Sequence, residues 1–324
     1  MEGSITLALP VYNPLEPTIF HQPWWLDIVT DNQWQAVDYH DGQRTLGRLP
    51  YWVSKNKLGL KVITPPPMTH FLGPAVDAGS GKPNTLFLKN YRVTQALLKQ
   101  LPKAGRCYFK CHGGIQDTLG FQNAGFHTAV QFTHEIAPAP REVLWESFRT
   151  KARNMIRSAR RCHEFEYGYD ADEFIQFYAQ NIDSKGKENR RDELICSRLI
   201  RACLDKNRGQ IYQVRDHRGR LAAAMFCAWD TKASYYLLTT RTPNSHSGAT
   251  PLIVWQAILD ASSRGLVFDF DGVISEGGIR FANNFTADLK PRYIAFKNSC
   301  LYSLYSKTLA RKPKHGAVFR PSPL

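Results

Sequence analysis

Three consecutive stretches between Gln210 and Arg241 constrain the fold more than any other feature. QIYQVRD, LAAAMFCAW and ASYYLLTTR are strand-like, and His217-Arg218-Gly219 and Asp230-Thr231-Lys232 separate them with turn chemistry. Links this short can only join antiparallel neighbours, so the region is a meander. Thr250 and Pro251 then open a helix that stops at Gly265. Next comes LVFDF, a buried-strand core in which alternation places Val267, Asp269 and Asp271 on one face and Leu266, Phe268 and Phe270 on the other. From Ile279 to Leu289, Phe281, Phe285 and Leu289 recur every four residues with Arg280 and Asn284 off the stripe, which predicts a helix. RYIAFK follows as a strand carrying Lys297 near its end.

Upstream of the meander, Glu142 to Arg161 reads as one long helix with Leu144, Phe148, Met155 and Ala159 on a stripe. HEFEYGY is a strand, and helices follow around Asp172 to Gln180 and Glu193 to Lys206. After the long helix, the order is β, α, α, β, β, β, α, β, α, β. The first half begins with a helix at Pro23 and the strand WQAVDYH, turning through Asp41-Gly42 into TLGRLPYWV. A short strand lies near Leu60 to Ile63, and the three prolines of TPPPMTHFLGP fix a loop. Asn84 caps a helix reaching Leu101, with CYFKC and TAVQFTHEI as further strands. Read as α, β, β, β, α, β, α, β, this half is close to a truncated copy of the second. The expected organisation is α/β (α+β): two tandem domains, each a mixed, largely antiparallel sheet flanked by helices. Residues 1–140 form the first, degenerate domain and 141–161 a basic connecting helix. Residues 162–305 form the second domain and 306–324 a basic flexible tail.

The 324 residues carry 42 Lys and Arg against 28 Asp and Glu, a formal charge of +14, which implies an anionic partner. Seven cysteines without a CxxC pair indicate neither a disulfide framework nor a zinc site. The start MEGSITLALP has no basic segment ahead of an apolar core, and no apolar run reaches 18 residues. These features predict a cytoplasmic protein, with peripheral contact with a membrane surface left open. No G-x-S-x-G elbow, P-loop or metal-ligand pair on one helix occurs, so hydrolase, NTPase and metalloenzyme readings have no support. Six cations and no acid lie between Arg149 and Arg161. Two or three would serve the helix dipole. The excess makes Lys151, Arg153, Arg157, Arg160 and Arg161 candidates for phosphate contact as well.

The element order of the second half resembles the GNAT acyltransferase fold. Two such halves around a basic helix resemble the Fem-type, FemAB-like aminoacyl and acyl transferases. HQPWWLDIV, PPPMTHFLGP, KARNMIRSARR, SGATPLIVWQAI and FDFDGV with RYIAFK carry the likeness, which spans nearly the whole chain. It implies transfer of an acyl or aminoacyl group to an amine such as a cell-envelope precursor, a peptidoglycan or polysaccharide intermediate, or an amino sugar. The donor would be aminoacyl-tRNA or acyl-CoA, with no tightly bound cofactor and no metal.

The resemblance also assigns residues. The pair Phe296-Lys297 occupies the place of an aromatic-lysine pair associated with transfer, where a cation would stabilise the oxyanion formed on amine attack. Asp271 is the candidate proton acceptor, Asp269 a structural acid, and Glu276, Arg280 and Tyr293 are acceptor-site candidates. The loop RTPNSHSGAT sits where GNAT enzymes hold the donor pyrophosphate, giving Arg241, Ser247, Gly248 and Ala249 as donor-binding candidates. Ser247 stands in the glycine place of that pattern, which puts acyl-CoA use in doubt. A non-catalytic RNA-binding protein, or a scaffold on an acyltransferase fold, is the alternative. The RNA-binding reading accounts for the charge but leaves FDFDGV and RYIAFK unused.

Overall fold

Pro23, whose missing amide is harmless in a first helical turn, begins α1 (Pro23–Thr30), and Asp31 ends it in the left-handed region at φ 48°. The computed structural model describes residues 11–183, 193–272 and 275–304. After α1, β1 (Trp34–Asp41) and β2 (Arg44–Lys55) form a hairpin through Gly42, followed by β3 (Lys61–Ile63) and the two-residue β4 (Ala75–Val76). Then come α2 (Pro83–Lys99), β5 (Arg106–Lys110), the short α3 (Leu119–Asn123) and β6 (His127–Ile136). The second half contains α4 (Arg141–Ser147), α5 (Thr150–Ala159), β7 (His163–Gly168), α6 (Ala171–Asp183) and α7 (Glu193–Asp205). The meander is β8 (Gly209–Asp216), β9 (Leu221–Trp229) and β10 (Ala233–Arg241). The chain then forms α8 (Ala249–Ser263), β11 (Val267–Asp269), α9 (Glu276–Asn283) and β12 (Asp288–Asn298).

These elements form two compact units. Of the described residues, one unit comprises 13–131 and 291–304, and the other 11–12 with 132–183, 193–272 and 275–290. In the first unit, β1, β2, β3, β5 and β12 pair in that order, and β4 adds to β2. Among the described strands of this unit, β3 and β5 are the parallel pair. Val93 and Leu97 of α2 and Phe121 of α3 pack with Phe109, Cys111 and Ala295 over one face. In the second unit the order is β6, β11, β10, β9, β8, β7, with β10 and β11 the parallel pair. Its core surrounds α8, where Ala249, Leu252, Ile253, Val254, Trp255, Ala257 and Ile258 are all buried. The run ATPLIVWQAILDASS has almost no polar face, so it stabilises the unit only when covered on every side. The mixed, largely antiparallel architecture flanked by helices is the one the sequence predicts.

Several local expectations are corrected. The single helix over 142–161 is two helices, because Phe148 and Arg149 are extended, at ψ 144° and 143°. Phe148 leaves the helical path to bury its ring against Trp255 and Phe285, at 5.1 Å from each, and the Arg149 amide donates to the Asn284 carbonyl at 3.1 Å. The helix expected over 279–289 stops at Asn283. A left-handed Thr286 follows, and Leu289 lies exposed in β12 instead of on the stripe. Asn84 does not cap α2, since Pro83 takes the opening turn and Lys82 precedes it. The small elements β4 and α3 carry too little periodicity to be read from the sequence. The expected tail and the N-terminal decapeptide lie outside the described residues.

Candidate active site

Strand β11 ends at Asp269 rather than continuing to Asp271. Phe268 and Phe270 are buried in the core as alternation requires, and Asp269 is itself fully buried. Its carboxylate accepts from Thr133 Oγ1 at 2.5 Å and from the Asp271 amide at 2.8 Å, while the Gly272 amide donates to the same threonine oxygen at 3.1 Å. Asp269 is therefore the anchor that shapes the loop. Asp271 and Gly272 both have positive φ, 53° and 56°, a conformation costly for a residue with a Cβ. The two carboxylates consequently do not lie side by side on one strand face. Thr133 is a partner that sequence reasoning missed, since 136 residues separate it from Asp269.

Beyond that loop, Ser275 caps α9 by accepting from the Gly278 amide at 3.1 Å. Glu276 and Arg280 form an i,i+4 ion pair at 2.5 Å with both side chains exposed. Such a pair contributes about 0–1 kcal/mol. It leaves Glu276 on a solvent-facing turn.

The loop before α8 is closed by its own residues. Arg241 Nη1 donates to the Ser245 carbonyl at 3.3 Å, and Ser245 Oγ donates to the Thr242 carbonyl at 2.8 Å. His246 takes the Gly248 and Ala249 amides. Its Nδ1 accepts from the Gly248 amide at 3.0 Å, its carbonyl accepts from the Ala249 amide at 3.0 Å, and its Nε2 meets Ser158 Oγ at 3.0 Å. Because Nδ1 is an acceptor, the proton sits on Nε2 and is donated to Ser158. Pro251, two residues into the helix, has no amide to offer. Gly248 serves packing: a Cβ there would lie 2.1 Å from the Met155 carbonyl oxygen of α5. Ser247, in the expected glycine place, is exposed. The sequence signal for the plug was the histidine of SHSGAT, two positions before the glycine.

The break at Phe148 changes the reading of the basic segment. Glu142 and Glu146 belong to α4, so α5 opens with Lys151 and Arg153 and has no acid in its first turn. Cations there oppose the helix dipole, which leaves their placement unexplained by charge complementation. Among the described residues, none of Lys151, Arg153, Arg157, Arg160 and Arg161 forms a salt bridge. Arg157 lies over the Trp145 ring at 5.3 Å, and Arg153 reaches Thr150 Oγ1 at 3.4 Å. Burial, and secondarily the charge of Arg141, lowers the pKa of Arg160.

Lys297, Phe296 and Tyr293 belong to the other unit. Tyr293, Ala295 and Lys297 alternate with Phe296, as expected, so Phe296 and Lys297 do not address one point. Lys297 Nζ donates to the Ala124 carbonyl at the end of α3 at 2.9 Å and lies 5.7 Å from the Phe126 ring centroid. Phe296 stacks on His127 at 5.4 Å. Among the described residues no group of His, Cys, Asp or Glu side chains is arranged to hold a metal, and no helix is long and apolar enough to cross a membrane.

Residues 146–278 match the family model of an acetyltransferase (GNAT) domain, covering the meander, α8 and the Asp269 loop. The crystal structure of FemX superposes with a TM-score of 0.62 at 14% identity over 86% of this chain and 92% of that one. The chain has the GNAT-like fold that FemX shares. The C-terminal domain of a putative lysylphosphatidylglycerol synthetase from Agrobacterium fabrum shares this fold at a TM-score of 0.57 and 13% identity, over 92% of this chain and 95% of its own. L-PGS from Bacillus licheniformis gives 0.52 at 11% identity, over 90% and 93%. No curated protein matches the chain by sequence.

Proposed function

We propose that the protein transfers an acyl or aminoacyl group to an amine, with aminoacyl-tRNA as donor in place of acyl-CoA. The observation that carries this reading is the occupation of the Gly248 and Ala249 amides by His246, which removes the anion cradle a CoA pyrophosphate would use. A tRNA needs no such cradle. It is held over a wide basic surface, and α5 supplies cations that have no carboxylate partner among the described residues. The names FemX and lysylphosphatidylglycerol synthetase, borne by proteins of the same fold, support aminoacyl transfer.

In this reading the acceptor amine attacks the donor ester carbonyl, a C–N amide bond forms as the ester C–O bond breaks, and the proton the amine loses ends on the hydroxyl oxygen of the departing tRNA. Lys297 is the proposed cation for the developing oxyanion and Asp271 the proposed proton acceptor. Phe296 would line the path of the transferred group, and Glu276, Arg280 and Tyr293 remain acceptor-site candidates. The proposed acceptor is a cell-envelope precursor or amino sugar, met in the cytoplasm or at a membrane surface.

The match of residues 146–278 to the GNAT domain favours a second reading, transfer from acyl-CoA with Arg241, Ser247, Gly248 and Ala249 at the donor. A transfer assay with each donor, run with and without ribonuclease, separates the two. Ribonuclease-resistant transfer from acyl-CoA overturns the tRNA reading. Transfer from charged tRNA alone, abolished by ribonuclease, supports it.

A further inference from the structure

The arginines of α4 and α5 meet α8 at two indole rings. Trp145 of α4 lies 5.3 Å from Trp255 of α8, the rings tilted by 49°. The guanidinium of Arg141 sits over the Trp255 ring at 5.9 Å, and that of Arg157 over the Trp145 ring at 5.3 Å. Asn154 Oδ1 holds Arg157 a second time, accepting from Nη1 at 3.3 Å. A guanidinium drawn to a ring face by its charge keeps most of its five N–H donors for oxygen acceptors. Both side chains are thereby ordered before a ligand arrives, which lowers the entropy lost on binding.

Arg160 follows Arg157 by three residues on α5, so the two share a helix face. Its charged form is disfavoured first by burial and second by the charge of Arg141, with no acid acting the other way. Among the described residues none of the three arginines forms an ion pair, and the exposed Glu142 and Glu146 of α4 leave them unpaired. Trp255 supplies an independent observation. Its side chain is 1% exposed, and its Nε1–H is buried without an acceptor among the described residues. A phenylalanine would fill much of the same space without stranding a donor. The junction therefore gathers donors and positive charge without the acceptor that would balance them.

We infer that Arg141, Arg157 and Arg160 hold one phosphate group at the junction of α4, α5 and α8, with the Trp145–Trp255 pair as the platform that orders them. Arginine suits this ligand, because its forked donors match phosphate oxygens two at a time. That the phosphate belongs to a donor tRNA rests on the transferase reading, whereas the site can be measured without it. With tryptophan labelled at its indole nitrogen, inorganic pyrophosphate and oligouridine are added to separate samples. The Trp255 signal should move saturably, while those of Trp34 and Trp52, in the other unit, stay in place. A response to oligouridine alone identifies a phosphodiester, a response to pyrophosphate alone a free phosphate such as a nucleotide carries, and a response to both a site that takes either. Arg141→Gln should weaken binding about 10- to 100-fold, as expected when one charge-assisted hydrogen bond is removed. Arg218→Gln takes the same charge from the exposed β8–β9 turn and should change binding by less than about threefold. Absence of a saturable response to both anions in the wild-type protein overturns the site even where Arg141→Gln fails to fold. Undiminished binding in a folded Arg141→Gln overturns it equally, as does equal weakening by the two variants, which marks a diffuse basic field. If transfer runs from acyl-CoA while the titration saturates, the tRNA reading fails and the phosphate site stands. If transfer requires tRNA while no titration saturates, the site falls and the reading stands.

Discussion

The ammonium of Lys297 donates to the carbonyl of Ala124 across 2.9 Å, tying the last strand to the end of a five-residue helix. That bond satisfies a carbonyl left open where α3 stops. It gives Lys297 a structural task in addition to the one proposed for catalysis, and the two are separable. Lys297→Met should lower turnover about 100- to 1000-fold if the ammonium stabilises an oxyanion. Loss of the cap alone should cost about 0.5–1.5 kcal/mol in urea denaturation and leave turnover nearly unchanged.

Gly248→Ala tests the packing of α8 on α5. A methyl group 2.1 Å from the Met155 carbonyl oxygen and 3.0 Å from Ala159 Cβ must push the helices apart. The expected cost is about 1–3 kcal/mol, read from the denaturation midpoint. An unchanged midpoint would mean that the helix junction yields freely.

Replacing Arg157, Arg160 and Arg161 together with glutamine tests the proposed tRNA interaction. Binding to bulk tRNA should weaken, and its log–log salt slope should flatten by about 0.7 to 0.9 for each phosphate that is no longer neutralised. If these residues serve only the end of α5, the melting temperature changes while the salt slope stays where it was.

Acid should weaken the first unit through His21. Its ring is buried, with Nδ1 at 2.7 Å from Thr18 Oγ1 and Nε2 at 3.2 Å from the Gly73 carbonyl, and His112 packs edge-on at 5.1 Å. Burial first, and the neighbouring His112 second, hold its pKa well below 6.5. The unfolded chain therefore binds the proton more readily. Stability from this group is fully present above pH 6.5 and is lost as pH falls through that value, by up to about 1.4 kcal/mol per pH unit. Urea midpoints at pH 7.5 and 5.5 should show the fall, and His21→Phe should reduce it.

The meander, the helix after it and the two flanking strands were legible because apolar alternation, turn residues and a proline-led helix start agreed with one another. The break in the basic helix was not. Phe148 fits a helical stripe as well as it fits the pocket against Trp255 and Phe285, and contacts with residues more than 100 positions away accompany the choice. Asp269 was readable as a structural acid, but its partner Thr133 was not, since periodicity carries no record of a pairing across 136 residues. The donor loop was legible as a departure from a pattern, with Ser247 in a glycine place. That His246 fills the vacated role depends on backbone geometry.

The pairing of β5 with β12 has a consequence for how the chain is made. A ribosome delivers residues 13–131 long before 291–298, so β5 emerges with a β3 neighbour on one side and an open row of amides and carbonyls on the other. That edge stays available to foreign strands for more than 150 residues of synthesis, at about 5–20 residues per second, until the last strand arrives. A fragment ending at Gln131 would keep the exposure permanently. Self-association of such a fragment, relieved by adding a peptide of residues 288–298, would be its signature.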